Sequence, residues 1–397
     1  MKSLLNVYRT GRGPSSSHSI GPERAAADFL RRYPQADKFR IVLYGSLALT
    51  GKGHLTDAAI CSVLGEGRTQ IVFDKKTRQN HPNTMDFYAL EGDKECGYLR
   101  YISVGGGNLA VDGEEEKEQE VYPFANFAEW RAYCDGKGIP LCRAVYEFEG
   151  EDMRGELRAV WHTMRQAIGR GLNGEGVLPG DLQVMRKAKK LFAPVEREQP
   201  EEREKRLIAS YAFASAEENA CGGTVVTAPT CGACGVLPAV LYYLSEREGF
   251  SEEQIIDALA VAGMVGNVIK TNASVSGAEA GCQAEIGSAT AMAAAAVSAL
   301  FGASSEEIEY AAEIALEHQL GLTCDPVHGY VQIPCIERNA VAALRALDSA
   351  AIAKILCGTR KISFDLIVET MYKTGKDINE RYRETSEGGL AASYRVC

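Results

Sequence analysis

The chain has 397 residues, of which 46% are hydrophobic and 24% charged, a composition typical of a soluble globular protein. This length predicts two domains rather than a single core. The formal net charge is −10 and the basic residues are scattered, which argues against a nucleic acid or an anionic membrane as partner. Twelve cysteines in so long a chain do not predict a secreted disulfide scaffold, and no export signal precedes Arg9, so we expect a reducing cytoplasm.

The first 150 residues have the patterns of a mixed α/β module. A loop bounded by glycine and proline covers residues 13–22 and leads into a helix through Arg32, with Pro22 in its first turn. Further helices are predicted at 56–64 and 127–135. Apolar or alternating runs predict strands at 41–49, 70–73, 84–90, 97–104 and 143–148.

Beyond residue 150 the hydrophobic period becomes helical and stays so. Ser251 and Ser304 each begin a capping box ahead of an apolar run. The stretch 286–305 carries no charge, but it is rich in Ala, Gly and Ser and therefore predicts a buried helix rather than a membrane span. The predicted helices are 151–170, 181–192, 204–218, 235–247, 252–270, 278–300, 306–317, 337–356 and 364–374. The fold class is thus predicted as α+β, with a mixed α/β domain at 1–150 and an all-helical domain at 151–397.

Three cysteines, Cys282, Cys324 and Cys335, occur where the chain is expected to change direction, beside glycine or proline. Soft thiolates select zinc, Cu(I) or an iron–sulfur cluster, and three of them leave one metal position open, which suits catalysis. Cys397 is the fourth candidate ligand. No short Cys-x-x-Cys joins these residues, so spacing alone also permits the alternative that each is a small buried hydrophobe.

The pair Cys231 and Cys234 forms a Cys-x-x-Cys just before a predicted helix. Such a pair can be a redox dithiol or half of a zinc site. No second Cys-x-x-Cys accompanies it, so we slightly favour the alternative that its Gly and Ala allow close helix packing.

Two histidines lie in loops of the first module. His18 directly follows Ser15, Ser16 and Ser17, and His54 lies in a glycine-rich loop after a predicted strand. Loops held on a rigid scaffold often carry catalytic groups. The alternative is that the serines cap the next helix and that His54 is an ordinary polar loop residue, and the residues alone leave both interpretations open.

Seven motifs together resemble the bacterial iron–sulfur L-serine dehydratases nearly from end to end. They lie at residues 13–18, 44–54, 80–85, 227–235, 270–283, 321–327 and 332–339. The resemblance implies a [4Fe–4S] cluster held by Cys282, Cys324 and Cys335. It also implies that Cys397 folds back onto the fourth iron until substrate displaces it. Two positions depart from the family pattern: Cys231 stands where many members have Asn, and Ser19 where they have Thr.

The activity implied by this resemblance is β-elimination of L-serine to pyruvate and ammonia, in a single-chain homodimer without a C-terminal regulatory domain. The cluster would act as a Lewis acid, and a histidine would take the α-proton, with His18 and His54 preferred and His81 not excluded. Candidate substrate-binding residues are Ser15, Ser16, Ser17 and Asn272. L-threonine or L-cysteine are alternative substrates. Parts of the sequence also permit two other functions. One is a pyridoxal-phosphate lyase that uses Lys270 with the glycine loop 105–108, and the other is an iron or redox sensor that uses the same cysteines.

Overall fold

The computed structural model describes residues 1–92, 94–112 and 120–395, and it has the α+β architecture predicted from the sequence. Seven strands are described: β1 Thr10–Arg12, β2 Lys38–Tyr44, β3 Thr69–Asp74, β4 Thr84–Glu91, β5 Lys94–Ser103, β6 Leu109–Val111 and β7 Thr224–Val226. The helices of the front part are α1 Gly21–Arg32, α2 Gly45–Thr50, α3 Thr56–Leu64, α4 Phe127–Lys137 and α5 Leu141–Glu149. Two π-helical turns, Ser16–Ile20 and Gln283–Gly287, lie next to the predicted functional motifs.

The remaining helices form the larger part of the molecule. They are α6 Met153–Asn173, α7 Ala188–Phe192, α8 Pro200–Ala220, α9 Val236–Arg247, α10 Glu252–Asn272, α11 Gly277–Ala280, α12 Ser288–Leu300, α13 Ser305–Glu317, α14 Cys335–Leu356, α15 Phe364–Asp377 and α16 Gly389–Ser393. Both predicted capping boxes are present, at Ser251 and Ser304. None of the helices in the described ranges is long and apolar enough to cross a membrane.

A five-stranded mixed sheet organises the front part, with strand order β3-β2-β4-β5-β6. Strand β2 runs parallel to β3 and antiparallel to β4, with Ile41 opposite Ile71 on one side and Phe87 on the other. Alternate side chains of β2 point into a core shared with α1, where Phe29 is fully buried. Helix α2 and then the loop that contains His54 directly follow β2, at one end of this sheet.

The helical part has its own, larger core. Helix α12 packs against α10, α13 and α14, and all of its alanines except Ala299 are fully buried, so neighbouring backbones approach closely. The buried helix predicted within 286–305 is thus confirmed over Ser288–Leu300. The chain start also joins this core through Leu4, and β1 pairs with β7, with Thr10 opposite Val226. Residues 13–20, here called the serine loop, follow β1 and are thereby fixed against the helical part.

Four sequence predictions of local structure were wrong. The strand predicted at 41–49 ends at Tyr44, and residues 45–49 lie in helix α2, because Gly45, with a φ of +51°, turns the chain at the end of the strand. Residues 143–148 lie in helix α5, whose buried Leu141, Ala144 and Val145 have helical spacing. Within 181–192 only Ala188–Phe192 is helical, because Val177 bridges antiparallel to Met185 in an extended turn. The predicted helix 278–300 is interrupted after α11. The domain division at residue 150 stays a prediction; helices α4 and α5, which precede it, contribute Trp130 and Leu141 to the helical core.

Candidate active site

A small cavity lies where the serine loop and the His54 loop meet the helical part. Among the residues that line it are Ser15, His54, Cys282, Cys324, Cys335 and Glu384. The structure therefore brings the three predicted cysteine ligands together with one of the two predicted catalytic histidines. These residues come from widely separated parts of the chain.

Cys282 owes its position to the interruption between α11 and α12. Gly281 has a φ of +74°, and a Cβ there would lie 2.8 Å from the carbonyl oxygen of Leu322. The amide of Gln283, two residues after Gly281, donates to that same carbonyl at 3.1 Å. The chain thus turns against the 322 loop before the π-helical turn begins, and Cys282 is left at the cavity wall.

The other two thiols are held by different parts of the structure. Cys324 is fixed by the C-terminal segment, because its amide donates to Tyr382 O and its carbonyl accepts from the amide of Glu384, both at 2.8 Å. Cys335 is the first residue of α14, directly after Pro334. All three cysteines lie at chain turns, as their sequence contexts predicted.

The charges around the thiols favour one thiolate in the group. A hydrogen bond from Cys324 and the nearby Arg338 guanidinium lower the pKa of Cys282 against the effect of burial. The pKa of Cys324 is raised, chiefly by its hydrogen bond with Cys282 and by burial, and burial raises the pKa of Cys335. Arg338 is itself held by donating to Thr323 O at 2.7 Å.

The surroundings of the thiols fit a sulfur-ligated cluster. The Cys324 thiol contacts Glu285 Oε2 at 3.8 Å, and two glycines leave the space beside these groups free of side chains. A Cβ at Gly277 would lie 3.1 Å from Cys324 Sγ, and one at Gly232 would lie 3.2 Å from Glu285 Oε1. Three convergent soft donors with bare backbone beside them are a donor set for an iron–sulfur cluster.

His18 is buried and uses both of its ring nitrogens in hydrogen bonds. Ser46 Oγ donates to Glu384 O at 2.7 Å, so at 2.9 Å from His18 Nε2 it must accept from that nitrogen. His18 Nδ1 then accepts from Ser17 Oγ at 2.8 Å. Burial and the neighbouring His54 lower the pKa of His18, which keeps this ring neutral.

His54 differs because one of its nitrogens faces the cavity. Its Nδ1 donates to Thr50 O at 3.1 Å, which leaves Nε2 as the unprotonated nitrogen of the neutral ring. Burial lowers the pKa of His54 to about 4. The two imidazoles are adjacent, with ring centroids 4.5 Å apart. His54 Nε2 is thus a neutral base at the cavity wall.

Glu384 completes this side of the cavity from the C-terminal segment. Its Oε1 lies 3.5 Å from His54 Nε2 and 3.6 Å from His18 Nδ1. The residue is buried, and burial together with the charges of Glu285 and Cys282 raises its pKa. Its backbone has a φ of +59°, a conformation fixed by the hydrogen bonds to Cys324 and Ser46.

The remaining predicted site residues are divided between the cavity and other places. Ser15, Ser16 and Ser17 are all buried in the serine loop, and the Ser15 hydroxyl accepts from the amide of His18 at 3.1 Å. Asn272 does not line the cavity; it is exposed at the end of α10, where its amide donates to Ala125 O and Val268 O. His81 pairs with Glu279 at 2.9 Å and does not line the cavity either.

The pair Cys231 and Cys234 lies behind the cavity, in an apolar cluster with Ile20 and Val225. Burial raises the pKa of both thiols, that of Cys234 to about 12. Asn339 spans the turn between them and the next helix, donating to Gly232 O at 2.7 Å and accepting from the amide of Gly235 at 2.8 Å. These contacts make the Cys-x-x-Cys turn a closely packed part of the structure.

Two further points concern residues outside the cavity. Lys270 lies beside Gly106, as the pyridoxal alternative required, but its ammonium donates to Asn6 O at 2.8 Å. Cys397, the predicted fourth ligand, lies outside the described residues. The described segment that precedes it contacts the loop that follows Cys324, where Ser386 Oγ donates to Pro326 O at 2.6 Å.

Comparison with family models decides the relationship of this chain. The model described as serine dehydratase alpha chain matches residues 58–391, and the model described as serine dehydratase beta chain matches residues 3–72. The chain belongs to the serine dehydratase family. It is similar to L-serine dehydratase 2 of Escherichia coli, with 40% identity over an alignment of 456 positions that covers both proteins completely. The L-serine dehydratase of Streptomyces coelicolor is 38% identical, with 100% of this chain and 99% of the relative covered.

Three residues of this serine dehydratase site were missed in the sequence. Glu285 follows Cys282 by three positions and Arg338 follows Cys335 by three, a spacing that places side chains on one face of a helix. That spacing was a usable signal for both. Glu384 gave no comparable signal, because its immediate neighbours in sequence include no other candidate and its partners His18, Ser46 and His54 lie hundreds of positions away.

Proposed function

We propose that this protein converts L-serine to pyruvate and ammonia by β-elimination, with a [4Fe–4S] cluster held by Cys282, Cys324 and Cys335. The observation that carries the proposal is the convergence of these three thiols with the neutral imidazole of His54 in one cavity. The relatives named L-serine dehydratase, which match over the full length of the chain, support it.

Elimination of water from serine requires removal of a weakly acidic α-proton and departure of hydroxide, a poor leaving group. When bound, a cluster with only three internal protein ligands supplies a Lewis acid for the leaving hydroxyl. The chain's contribution on this side is to hold three thiols at fixed turns and to set Arg338 beside them. The Arg338 cation offsets the negative charge that the thiolates bring into a buried site.

His54 is assigned as the general base. Its Nδ1 proton is committed to Thr50 O, so Nε2 is free to accept the α-proton. Cleavage of the Cα–H bond leaves its electron pair to form the Cα–Cβ double bond as hydroxide departs from Cβ. The resulting 2-aminoacrylate tautomerises to the imine, which water hydrolyses to pyruvate and ammonia.

His18 is assigned as a positioning residue rather than as the base. Both of its nitrogens are engaged, with Ser46 and Ser17, and its ring packs against that of His54. The Ser15 hydroxyl lines the cavity and is proposed to bind the substrate carboxylate, with Ser16 and Ser17 shaping the same loop. We further propose that Cys397 is the fourth iron ligand, that the protein acts in the cytoplasm, and that it is a homodimer.

The decisive experiment is an anaerobic assay of pyruvate release with iron counted per chain. Protein purified without oxygen should contain about four irons per chain and should release pyruvate and ammonia from L-serine in equal amounts. L-threonine and L-cysteine also carry β-leaving groups and are assayed in parallel to establish the preferred substrate. An iron-loaded protein that releases no keto acid from any of the three would contradict the proposal.

A further inference from the structure

The Glu384 carboxylate has one oxygen that the proton-transfer chemistry does not use. Glu384 is only 4% exposed and belongs to the lining of the cavity. Its Oε1 faces the two imidazoles, whereas Oε2 is buried and has no side-chain partner among the described residues; the backbone amide of Ala278 is the one donor that acts on this carboxyl group. A buried carboxylate oxygen without a partner is costly, so a ligand that supplies donors at this place is strongly favoured.

The second carboxylate of the cavity, Glu285, is already occupied. It contacts the Cys324 thiol at 3.8 Å, and the positive charge of Arg338 acts on it. Glu384, in contrast, has the two imidazoles as its only ion-pair partners in the described part of the chain, and both rings are held neutral. The cavity therefore contains one carboxyl group, with a raised pKa, that lacks the cation needed to stabilise its ionised form.

The position of Glu384 relative to His54 matches the bonding at the α-carbon of an amino acid. The proton to be removed and the ammonium group are attached to the same carbon. Groups that bind them must therefore be neighbours, and His54 Nε2 lies 3.5 Å from Glu384 Oε1. The thiols line the same cavity, and the leaving hydroxyl would be held beside them.

We propose that Glu384 binds the α-ammonium group of the substrate and so makes the site selective for amino acids over the corresponding acids that lack nitrogen. This assignment rests on the proposed function. The ammonium supplies both the positive charge and the hydrogen-bond donors that Oε2 lacks. The arrangement also sets the α-hydrogen beside the base, because the carbon that carries it is held within one bond of the ammonium.

The test compares ligands that differ only by the ammonium group. Binding of L-alanine and of propionate, neither of which can lose water, is measured by anaerobic calorimetry on the iron-loaded parent, Glu384→Gln and Glu384→Asp. In parallel, the KM for L-serine is compared with the inhibition constant of 3-hydroxypropionate. Glu384→Gln should weaken L-alanine binding and raise the KM for L-serine by roughly 10- to 100-fold. The affinities for propionate and 3-hydroxypropionate should change by less than about 3-fold, well below the effect of a charge-assisted hydrogen bond.

Glu279→Gln is the matched control, because it removes a carboxylate that also pairs with a histidine but lies outside the cavity lining. It should leave the preference for L-alanine over propionate unchanged. A Glu384→Gln protein with a lower kcat and an unchanged preference would overturn the proposal and leave Glu384 as a residue that only positions the imidazoles. If neither Glu384 variant folds, the parent decides, since a parent that binds L-alanine no more tightly than propionate also overturns it.

Calorimetry separates this proposal from the proposed function. A parent that prefers L-alanine through Glu384 but releases no pyruvate from L-serine would retain the ammonium site and lose the assigned reaction. A parent that releases pyruvate and shows no such preference would retain the reaction and lose the ammonium site.

Discussion

Two groups of cysteines, all buried except the partly buried Cys335, lie close together in this protein and differ in their surroundings. Cys231 and Cys234 are enclosed by apolar side chains, and burial raises the pKa of both thiols. Cys282, Cys324 and Cys335 line a cavity that also contains Glu285 and His54. In the second group the pKa of Cys282 is lowered, with Arg338 contributing. The two groups are thus distinguished by the cation and the open cavity wall beside the second group, and not by the short spacing within the first.

Replacement of the cavity cysteines should give the largest effect. Cys282→Ala, Cys324→Ala and Cys335→Ala should each lose the cluster and reduce pyruvate release to background, because a cubane with only two internal thiolates is not retained. Iron content and visible absorption of anaerobically purified protein measure this. Cys231→Ala and Cys234→Ala are the matched variants and should keep their iron. Full iron content in any of the first three would remove that residue from the ligand set.

Substitutions of the two adjacent histidines should lower kcat by different amounts. His54→Ala should lower kcat by roughly 10²–10⁴-fold, the usual contribution of a general base. His18→Gln should have a smaller effect, because His18 acts through its contacts with Ser46 and His54. Iron content should be unchanged in both. A larger loss in His18→Gln than in His54→Ala would reverse the assignment of the base.

The pH dependence of the parent sharpens the same assignment. A base must be neutral to accept a proton, and burial lowers the pKa of His54 to about 4, below the value of about 6.5 for an unperturbed imidazole. Neutral His54 therefore persists as the pH falls through 6.5. Titration of His54 should therefore cause no decline of kcat/KM near that value. Because the pKa of Glu384 is raised, the profile is measured in Glu384→Gln as well, and a decline centred near 6.5 that persists in that variant would contradict a buried neutral base.

Cys397 tests whether the open cluster position is protected by a fourth thiol. Activity of the parent should decline in air and recover after anaerobic treatment with iron and reductant, because an iron without a permanent thiolate is readily oxidised. Cys397→Ala should keep some cluster, lose it faster in air and show an altered resting spectrum. Identical spectra and air lifetimes in parent and variant would leave the three internal cysteines as the whole ligand set.

The smallest effect is expected in the apolar cysteine cluster. Cys234→Ala removes one buried sulfur and should lower the free energy of unfolding by about 1 kcal/mol, the centre of the range for single substitutions. Urea-induced unfolding of the variant and the parent measures it. Cys357→Ala, at a partly buried position near the end of α14, is the control and should change stability less. Loss of iron from Cys234→Ala would show that this cluster is part of the metal site after all.

Much of the fold follows from local patterns, and the exceptions have physical causes. Long helices such as α10 and α13 begin at capping boxes and carry long apolar runs, so their starts were predicted. The break at Gly281 could not be predicted, because Ala- and Gly-rich sequence continues through it and the turn is fixed by Leu322, which is distant in sequence. The strand prediction at 143–148 failed because a short apolar run fits both periods.

The candidate site also contains some residues that the sequence predicts and others that it does not. The thiols and His54 were identified because their motifs are local and resemble a known family. Which histidine has a free nitrogen depends on contacts with Thr50 and Ser46, and such partners become visible only when the chain is folded. Glu384 depends wholly on tertiary structure, since nothing in its own neighbourhood marks it.

The placement of Glu384 also has a consequence for biosynthesis. Ser46 and Glu384, which share a hydrogen bond, are 338 positions apart. A ribosome therefore delivers the serine loop, both histidines and all three internal thiols before the carboxylate that faces them exists. The segment that carries Glu384 therefore completes the cavity after every other residue of its lining has been made.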